Sequence, residues 1–333
     1  MDDSRELYMR RALELARHGE LHASPNPMVG AVIVAPDGRV IGEGWHRRCG
    51  EGHAEVNAIA SVCDADRHLL TSSVMYVTLE PCSHYGRAPP CARLIIETGI
   101  PHVEVAVIDP FAKVSGRGVE MLRQAGIEVG VGLLGDEAER LNRRFFDAHR
   151  RRRPFVTLKW AQSADGFIDG RMLPSDPATA ISTPLNRLAV HRLRALHDAI
   201  LVGAGTYLSD KPSLSVRDYA GQSPRRFVAD RRYLTGVLRD EWTRLDQPDV
   251  ASMLSALYGA YGVTSVLVEG GHDLLSSFIA AGLWDTARVE VSHDINLSHK
   301  TLRVKAPDLG RLSLSQVGQI DSHTILTYEA SQA

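Results

Sequence analysis

The chain switches between two hydrophobic periods, one of about 3.6 residues and one of two, which predict helices and strands respectively. At the start of the chain, apolar residues recur at helical spacing between Ser4 and Gly19, so we expect a capped amphipathic helix. Apolar runs at 29–35 and 40–45 flank Pro-Asp-Gly, which predicts a β-hairpin. The pattern then predicts strands over 74–79, 103–108 and 127–133, and helices over 53–62, 91–97, 119–125 and 137–149.

An arginine-rich run, Arg150 to Arg153 followed by Pro154, interrupts this series. We place a domain boundary here and predict domains over 1–149 and 150–333. The segment 231–264 shows no clear apolar strand of five residues. Alternating strands and helices predict an α/β fold with a partly parallel sheet in both domains. The second series comprises strands over 155–159, 199–203, 226–230 and 265–269, helices over 184–196, 250–261 and 272–280, and a strand-rich end.

Composition places the chain among globular proteins, with 44% hydrophobic and 23% charged residues in 333. A formal net charge of −2 argues against non-specific binding to nucleic acid or membranes, and no apolar run approaches the length of a membrane span. The acidic, amphipathic start is unlike a signal peptide. All four cysteines lie in the first third, which argues against a disulfide scaffold and predicts a cytoplasmic protein.

The strongest chemical signal is His53-Ala54-Glu55, followed by Pro81-Cys82 and later by Cys91. One imidazole and two thiolates suit zinc, and three protein ligands leave its fourth position for water. The predicted elements support this site, because His53 and Cys91 each open a helix and a helix N-terminus lowers a thiol pKa. Glu55 would take a proton from zinc-activated water and pass it to leaving ammonia.

Each of these residues has a plainer interpretation when taken alone. A histidine at a helix start is often a cap, and a cysteine beside a proline is often buried and inert. Their joint occurrence on a helix–strand–helix path favours zinc. Cys49 and Cys63 lack that context, so we predict that they are not ligands.

Three further features allow two interpretations. His46 and His84 are interpreted as contacts to the zinc ligands or to the substrate rather than as ligands, because a fourth protein ligand would block the water position. Asn26 stands between two prolines, where its amide either forms a turn or binds a substrate ring. The run Arg150 to Arg153 could bind nucleic acid, but without interleaved aromatic residues we interpret it as a solvated helix end.

Four segments, SPNPMVGAVIV, HAEV, VTLEPCSHYGRAPPC and LKWAQSADGFIDG, closely resemble the bifunctional riboflavin-biosynthesis deaminase/reductase family. The resemblance runs through most of the chain and is strongest over about 24–217. The wide spacing between Cys82 and Cys91 is specific to that family, whereas tRNA-adenosine and cytidine deaminases carry the short Pro-Cys-x-x-Cys form. The resemblance implies a cytidine-deaminase-like α/β/α domain acting on 2,5-diamino-6-(5-phosphoribosylamino)pyrimidin-4(3H)-one. It also implies a dihydrofolate-reductase-like α/β domain that reduces the ribosyl group to ribityl with NADPH.

The resemblance also implies roles for single residues. Zn²⁺ would lie on His53, Cys82 and Cys91, with Glu55 as the proton shuttle. The guanidinium forks of two arginines in the reductase site suit a sugar phosphate. The implied contacts are Asn26, His46, His84 and Arg87 for the deaminase substrate, Lys159, Arg194, Leu214, Arg217 and Glu269 for the reductase substrate, and Ala161, Thr206, Asp210, Gly270 and Gly271 for the cofactor.

Two departures from the family fall on the cofactor side. Ala180 stands where the family usually has tryptophan. The family also usually carries a strand within 231–264, whereas this segment is shorter and is predicted to lack that strand. We therefore predict looser NADPH binding than in relatives. One alternative is an active deaminase with a degenerate, structural reductase-like domain, and another is a zinc-stabilised nucleic-acid-binding module. The expected partners are the phosphorylated pyrimidine substrate and further copies of the chain in a dimer or tetramer, with no nucleic acid and no membrane.

Overall fold

The computed structural model describes residues 3–84, 89–111, 115–230, 238–310 and 314–330. It forms two compact units, Met1–Arg151 and Arg152–Ala333. The division falls two residues beyond the predicted boundary, at the end of a helix where Arg152 adopts a left-handed backbone with φ of 55°. In the described ranges, no helix is both long and apolar enough to cross a bilayer.

The first unit is an α/β/α sandwich around a five-stranded sheet, as predicted. Alternation along the first strand explains the layers, because Ala31 and Ile33 face one core whereas Val32 and Val34 face the other. The elements are α1 Asp3–Arg17, β1 Gly30–Val34, β2 Val40–Trp45, α2 Ala54–Ser61, a 3-10 turn Arg67–Ser72, β3 Val74–Val77, α3 Cys91–Thr98, β4 His102–Val105, α4 Arg117–Gln124, β5 Glu128–Val131, α5 Gly135–Leu141 and α6 Arg143–Arg151.

The sheet order is β2-β1-β3-β4-β5, antiparallel around β1 and parallel from β3 to β5. Helices α2, α3 and α4 pack on one face, and α1 and α5 pack on the other. A side chain at Gly44 of β2 would collide with the backbone of α2 at Ala58. This glycine therefore lets α2 lie close on the sheet, with its first turn at the sheet edge.

The prediction of one helix over 137–149 is wrong. The chain forms two helices, α5 and α6, which meet at Asn142 with φ of −108°. The Asn142 side chain bonds both the N–H and the carbonyl of Met28, each at 2.8 Å. Because Met28 is so distant from Asn142 in sequence, the local hydrophobic period could not predict this break between the two helices.

The second unit is built on an eight-stranded sheet. Its elements are β6 Phe155–Gln162, β7 Phe167–Arg171, α7 Pro184–Ala195, β8 Ala199–Gly203, α8 Ala204–Asp210, β9 Arg225–Ala229, β10 Trp242–Leu245, α9 Val250–Gly259, β11 Ser265–Val268, α10 His272–Ala281, β12 Thr286–Ser292, β13 Leu302–Lys305, β14 Leu314–Ile320 and β15 His323–Glu329. The strand order is β10-β9-β8-β11-β6-β12-β15-β14, in which the first six strands run parallel to one another and β15 and β14 add antiparallel pairs. Helices α9 and α10 cover one face, and α7 and α8 cover the other.

The expectation that 231–264 lacks a strand is also wrong. Strand β10 lies within it and pairs in parallel with β9, placing Trp242 beside Arg226. Only its end residues, Trp242 and Leu245, are buried, and its four residues are too few for a visible alternation. The part of this segment at 231–237 lies outside the described residues.

Candidate active sites

Three metal-binding side chains meet beyond the carboxyl end of β3. His53 is the N-cap of α2, Cys91 is the first residue of α3, and Cys82 lies in the loop after β3. His53 Nδ1 lies 3.6 Å from Cys82 Sγ and 3.4 Å from Cys91 Sγ. All three ligand atoms lie within 4.8 Å of one another.

This cluster has the size and the donors that zinc requires. Tetrahedral zinc with bonds of about 2.0–2.3 Å holds its ligand atoms about 3.5–3.8 Å apart, close to the observed separations. Imidazole nitrogen and thiolate sulfur are donors that zinc prefers. The residues therefore fit zinc, and the described part of the chain holds no second such group of three or more His, Cys, Asp or Glu side chains.

The two thiols are electrostatically suited to a cation. Hydrogen bonding from the Cys91 thiol lowers the pKa of Cys82 to about 4, with further help from His53 and from the Cys91 N–H at 3.2 Å, against the opposing effect of burial. The same bond to Cys82, followed by burial, raises the pKa of Cys91. A divalent cation bound by both sulfurs would favour two thiolates.

Glu55 lies in the first turn of α2 and is only 3% exposed. Burial raises its pKa to about 7, partly offset by the neighbouring His53. A carboxyl group with a pKa near neutrality can both accept and release a proton, as a proton shuttle must. Burial and the raised pKa thus support the role predicted for Glu55.

The predicted substrate contacts of this unit are only partly brought together. Asn26 Nδ2 lies 3.1 Å from His46 Nε2, and His46 Nδ1 lies 3.2 Å from the Gly52 carbonyl. The His46 and His53 rings meet edge to face at 5.3 Å. Burial lowers the pKa of His46, which favours a neutral ring that accepts from Asn26 and donates to Gly52.

His84 is exposed, and Arg87 lies outside the described residues. Cys49 and Cys63 are exposed and do not belong to the zinc cluster. Their positions agree with their prediction as non-ligands.

Sequence reasoning missed Glu80, which anchors the loop carrying Cys82. Its buried carboxylate accepts from the N–H groups of Gly116 and Gly118, each at 2.8 Å, and from Asp109 at 3.2 Å. A side chain at Gly118 would collide with the Pro81 carbonyl. An acidic residue at the end of an apolar strand was the only sequence signal for this role.

Asn142 was also missed, and it holds the segment that carries Asn26. Replacing Asn142 by alanine removes both hydrogen bonds to Met28, each worth about 0.5–1.5 kcal/mol. We expect a KM for deamination raised by about 10-fold, because Asn26 loses its fixed position. Ammonia release measures this, and NADPH oxidation by the same protein should stay unchanged. Asn142→Asp keeps the acceptor for the Met28 N–H, so its KM should lie between those of the alanine variant and the unaltered protein. A normal KM in the alanine variant would contradict the role of Asn142.

In the second unit, a cavity of about 360 Å³ opens beside the carboxyl ends of β6 and β11. The crevice beyond these ends is the usual ligand position in parallel α/β sheets. Arg194 and Arg217 do not line it. The predicted residues that do are Lys159, Ala161, Thr206, Asp210, Leu214, Glu269, Gly270 and Gly271.

Glu269, which lines this cavity, belongs to a buried ion pair with Arg194. Arg194 donates from Nε and Nη2 to the two oxygens of Glu269, each at 2.8 Å. Although burial opposes it, Arg194 lowers the pKa of Glu269, with Lys159 contributing. Burial lowers the pKa of Lys159. The Arg194 fork is therefore occupied by Glu269, which leaves Arg217 as the better placed of the two predicted arginines for a free phosphate contact.

The cavity also fits the phosphate-bearing part of NADPH. Gly270 and Gly271 precede α10, with Gly271 as its N-cap. A Cβ at Gly271 would lie 3.2 Å from the Thr206 hydroxyl, so a larger residue would fill this space. The first N–H groups of a helix have no partner within it and favour anions.

His191 positions the segment that carries Arg217. Its Nδ1 accepts from the N–H of Arg217 at 3.1 Å and of Asp218 at 3.0 Å. Arg217 itself is exposed and donates to the Ser213 hydroxyl at 3.0 Å. Nδ1 can accept these bonds only while it carries no proton.

This arrangement predicts a loss of reductase affinity in acid. Burial first, then Arg194 and Arg217, lower the pKa of His191, against Asp218 and Glu269. A lowered folded-state pKa means that the unfolded chain binds the proton first. The stabilisation from the two hydrogen bonds to His191 is therefore complete above about pH 6.5, the ordinary histidine pKa. It is lost as the pH falls toward the lowered pKa of the folded state. We expect the KM for reduction to rise over that interval, and His191→Asn, which keeps an acceptor near Nδ1, to flatten the rise. An equally steep rise in that variant would exclude His191.

Together, the fold and the first site define a zinc-dependent deaminase of the cytidine-deaminase class, joined to an α/β unit with a nucleotide-sized cavity. Two family descriptions match the chain: "Cytidine and deoxycytidylate deaminase zinc-binding region" over residues 2–107 and "RibD C-terminal domain" over residues 154–292. The riboflavin biosynthesis protein RibD of Bacillus amyloliquefaciens is 39% identical over 321 residues, 84% of this chain and 82% of the relative. That of Aquifex aeolicus is 43% identical over 86% of each chain.

Solved structures support the same family. A RibD structure from Acinetobacter baumannii has a TM-score of 0.87 with 31% identity over 100% of both chains. A diaminohydroxyphosphoribosylaminopyrimidine deaminase/5-amino-6-(5-phosphoribosylamino)uracil reductase from Thermotoga maritima has a TM-score of 0.85 with 35% identity over 99% of both. The chain belongs to the RibD family of bifunctional, zinc-dependent deaminases and NADPH-dependent reductases. The predicted family, fold class and cofactors are thereby confirmed.

Proposed function

We propose that the first unit deaminates 2,5-diamino-6-(5-phosphoribosylamino)pyrimidin-4(3H)-one and that the second reduces the ribosyl group of the product with NADPH. The observation that carries the proposal is the cluster of His53, Cys82 and Cys91 beside buried Glu55, in a chain that matches RibD relatives through both units. The domains are assigned as 1–149 for deamination and 150–333 for reduction.

Deamination needs a nucleophile and a proton carrier. Zinc, when bound by the three ligands, lowers the pKa of a coordinated water toward neutrality. Glu55 takes a proton from the attacking water, whose oxygen bonds the ring carbon, and returns it to the amino group as the carbon–nitrogen bond breaks, so that ammonia leaves neutral. Asn26 and His46 lie beside the cluster, where their side chains bind and orient the pyrimidine ring.

Reduction converts a cyclic ribosyl group into an open ribityl chain. The bond between C1′ and the ring oxygen breaks, C1′ gains a hydride and the oxygen gains a proton. NADPH supplies the hydride when bound. Lys159 and Glu269 line the cavity and bind the sugar, and Arg217 holds its phosphate. Gly270 and Gly271 receive the cofactor phosphates.

A coupled assay with the diaminopyrimidine substrate tests both halves, with ammonia release and NADPH oxidation followed separately. We expect both activities from one chain. Ammonia release without NADPH oxidation of the deaminated intermediate would support the alternative with a degenerate second unit, for which the matches to relatives give no support. No ammonia release from zinc-loaded protein would overturn the proposal for the first unit.

We further propose that nucleic acid is not a partner. Arg150 donates to Glu139 at 2.7 and 3.1 Å, and Arg153 donates to Asp285 at 2.7 and 2.8 Å, so these two arginines of the run are ion-paired, each within its own unit. A salt-dependent affinity for tRNA would contradict this. A dimer or tetramer and a cytoplasmic location stay predictions.

A further inference from the structure

A buried carboxylate beneath the reductase cavity has no part in the proposed function. Glu290 of β12 is 0% exposed. It pairs in register with Ala161 of β6, as Arg288 pairs with Lys159, and both β6 residues line the cavity. Val289, which lies between them, belongs to the core on the opposite face. Glu290 and Arg288 therefore share the cavity face of the sheet.

The Glu290 carboxylate is connected to the cavity through one hydroxyl group. Ser182 lines the cavity, and its Oγ donates to Glu290 Oε2 at 3.0 Å. Within the described residues, Glu290 Oε1 and Arg288 Nη1 have no hydrogen-bond partner, and Arg288 Nη1 lies 4.0 Å from Glu290 Oε2. A fully buried carboxylate is costly to retain in a fold, so a role in holding Ser182 would explain it.

His323 fixes the backbone next to this serine. Its Nε2 lies 3.0 Å from the Ile181 carbonyl and donates to it, and it lies 3.7 Å from Glu290 Oε1. His323 is 2% exposed. The Ile181–Ser182 segment is thus held by its backbone at one residue and by its side chain at the next, which leaves the Ser182 hydroxyl little freedom to turn.

The orientation of that hydroxyl decides what it offers a ligand. A serine hydroxyl has one proton and two acceptor lone pairs, and a carboxylate can only accept. Because the Ser182 hydroxyl donates its proton to Glu290, its oxygen can only accept a hydrogen bond from a molecule in the cavity. A bound molecule must bring a donor to this point.

We propose that Ser182, oriented by Glu290, is a recognition residue of the reductase site that accepts a hydrogen bond from a bound molecule. The donor is either a hydroxyl group of the phosphorylated sugar or the carboxamide N–H of the nicotinamide. Glu290 acts through Ser182 and is a positioning residue. The inference rests on the proposed reductase function and adds a contact to it.

Ser182→Ala removes the acceptor and is the primary test. We expect the KM for one of the two ligands to rise by about 5- to 12-fold, as for one lost hydrogen bond, with kcat for reduction changed less than about 3-fold. A change in the KM of the deaminated pyrimidine identifies the sugar as donor, and a change in the KM of NADPH identifies the nicotinamide. Ser315→Ala is the matched control, because among the residues that the structure describes this exposed serine of β14 bonds only the Thr327 carbonyl. Two unchanged KM values in Ser182→Ala would overturn the proposal.

Glu290 variants separate positioning from folding. Glu290→Gln keeps the size and an acceptor oxygen, so its KM values should stay near those of the unaltered protein. Glu290→Leu should raise the same KM as Ser182→Ala, and the double variant should be no worse than either single one, since both changes break one bond. Additive effects, or a rise in the other KM, would overturn the role of Glu290. Failure of the proposed function itself would look different, because the unaltered protein would then oxidise no NADPH.

Discussion

Glu55→Gln is expected to lower kcat for ammonia release by at least about 100-fold, the lower end of general acid–base effects. Glutamine keeps the shape of the side chain but cannot carry a proton between water and the leaving amine. Its uncharged amide suits a site where Glu55 is only 3% exposed, so folding and zinc content should be retained. Kinetics of ammonia release and metal analysis by mass spectrometry measure the two effects separately.

The control for this prediction is Glu97→Gln on α3. Glu97 is exposed and, in the described part of the chain, pairs only with exposed Arg93, so its replacement should leave ammonia release unchanged. Reduction of the deaminated intermediate should continue in both variants. Ammonia release within about 3-fold of normal in Glu55→Gln would remove Glu55 from the mechanism, whatever its zinc content.

The second large effect is expected on stability. Glu269→Leu leaves Arg194 buried without its bidentate partner, and breaking a buried pair on one side costs about 3–5 kcal/mol. Urea unfolding followed by tryptophan fluorescence suits this measurement, because Trp160, Trp242 and Trp284 all lie in the second unit. The midpoint should fall strongly, and NADPH oxidation should be lost with the sugar contact.

The double variant Arg194→Leu with Glu269→Leu checks the cause. If the penalty comes from the orphaned guanidinium, removing it should restore much of the lost stability. Asp246→Leu is the exposed counterpart, since its pair with Arg244 is open to solvent and is worth about 1 kcal/mol or less. A loss in Glu269→Leu no larger than in Asp246→Leu would show that the buried pair contributes little.

The sequence predicted the zinc cluster well because its members stand at element ends. His53 and Cys91 lie at helix starts and Cys82 follows a strand, so the short motifs that contain them also agree with the local hydrophobic periods. The roles of Glu80 and Asn142 could not be found in this way, because their partners lie at least 29 and 114 residues away. Such contacts are settled by tertiary packing alone.

On the cofactor side, the sequence analysis missed an element that the structure contains. Strand β10 was missed because its four residues bury only Trp242 and Leu245, which is no recognisable alternation. With that strand present, one of the two reasons for expecting loose NADPH binding disappears. The other, Ala180, is exposed and does not line the cavity, so weaker binding stays a prediction to be measured by calorimetric titration.

The bond between Asn142 and Met28 has a consequence for dissecting the protein into smaller pieces. The matched zinc-binding region ends at residue 107, before α4, α5 and α6 begin. A fragment ending there would keep His53, Cys82 and Cys91 but would lose the amide that holds Met28 and the buried Phe146 ring of α6. Binding a metal and recognising a pyrimidine are therefore not encoded by the same stretch of chain, and a shortened deaminase that still takes up zinc is expected to handle its substrate poorly.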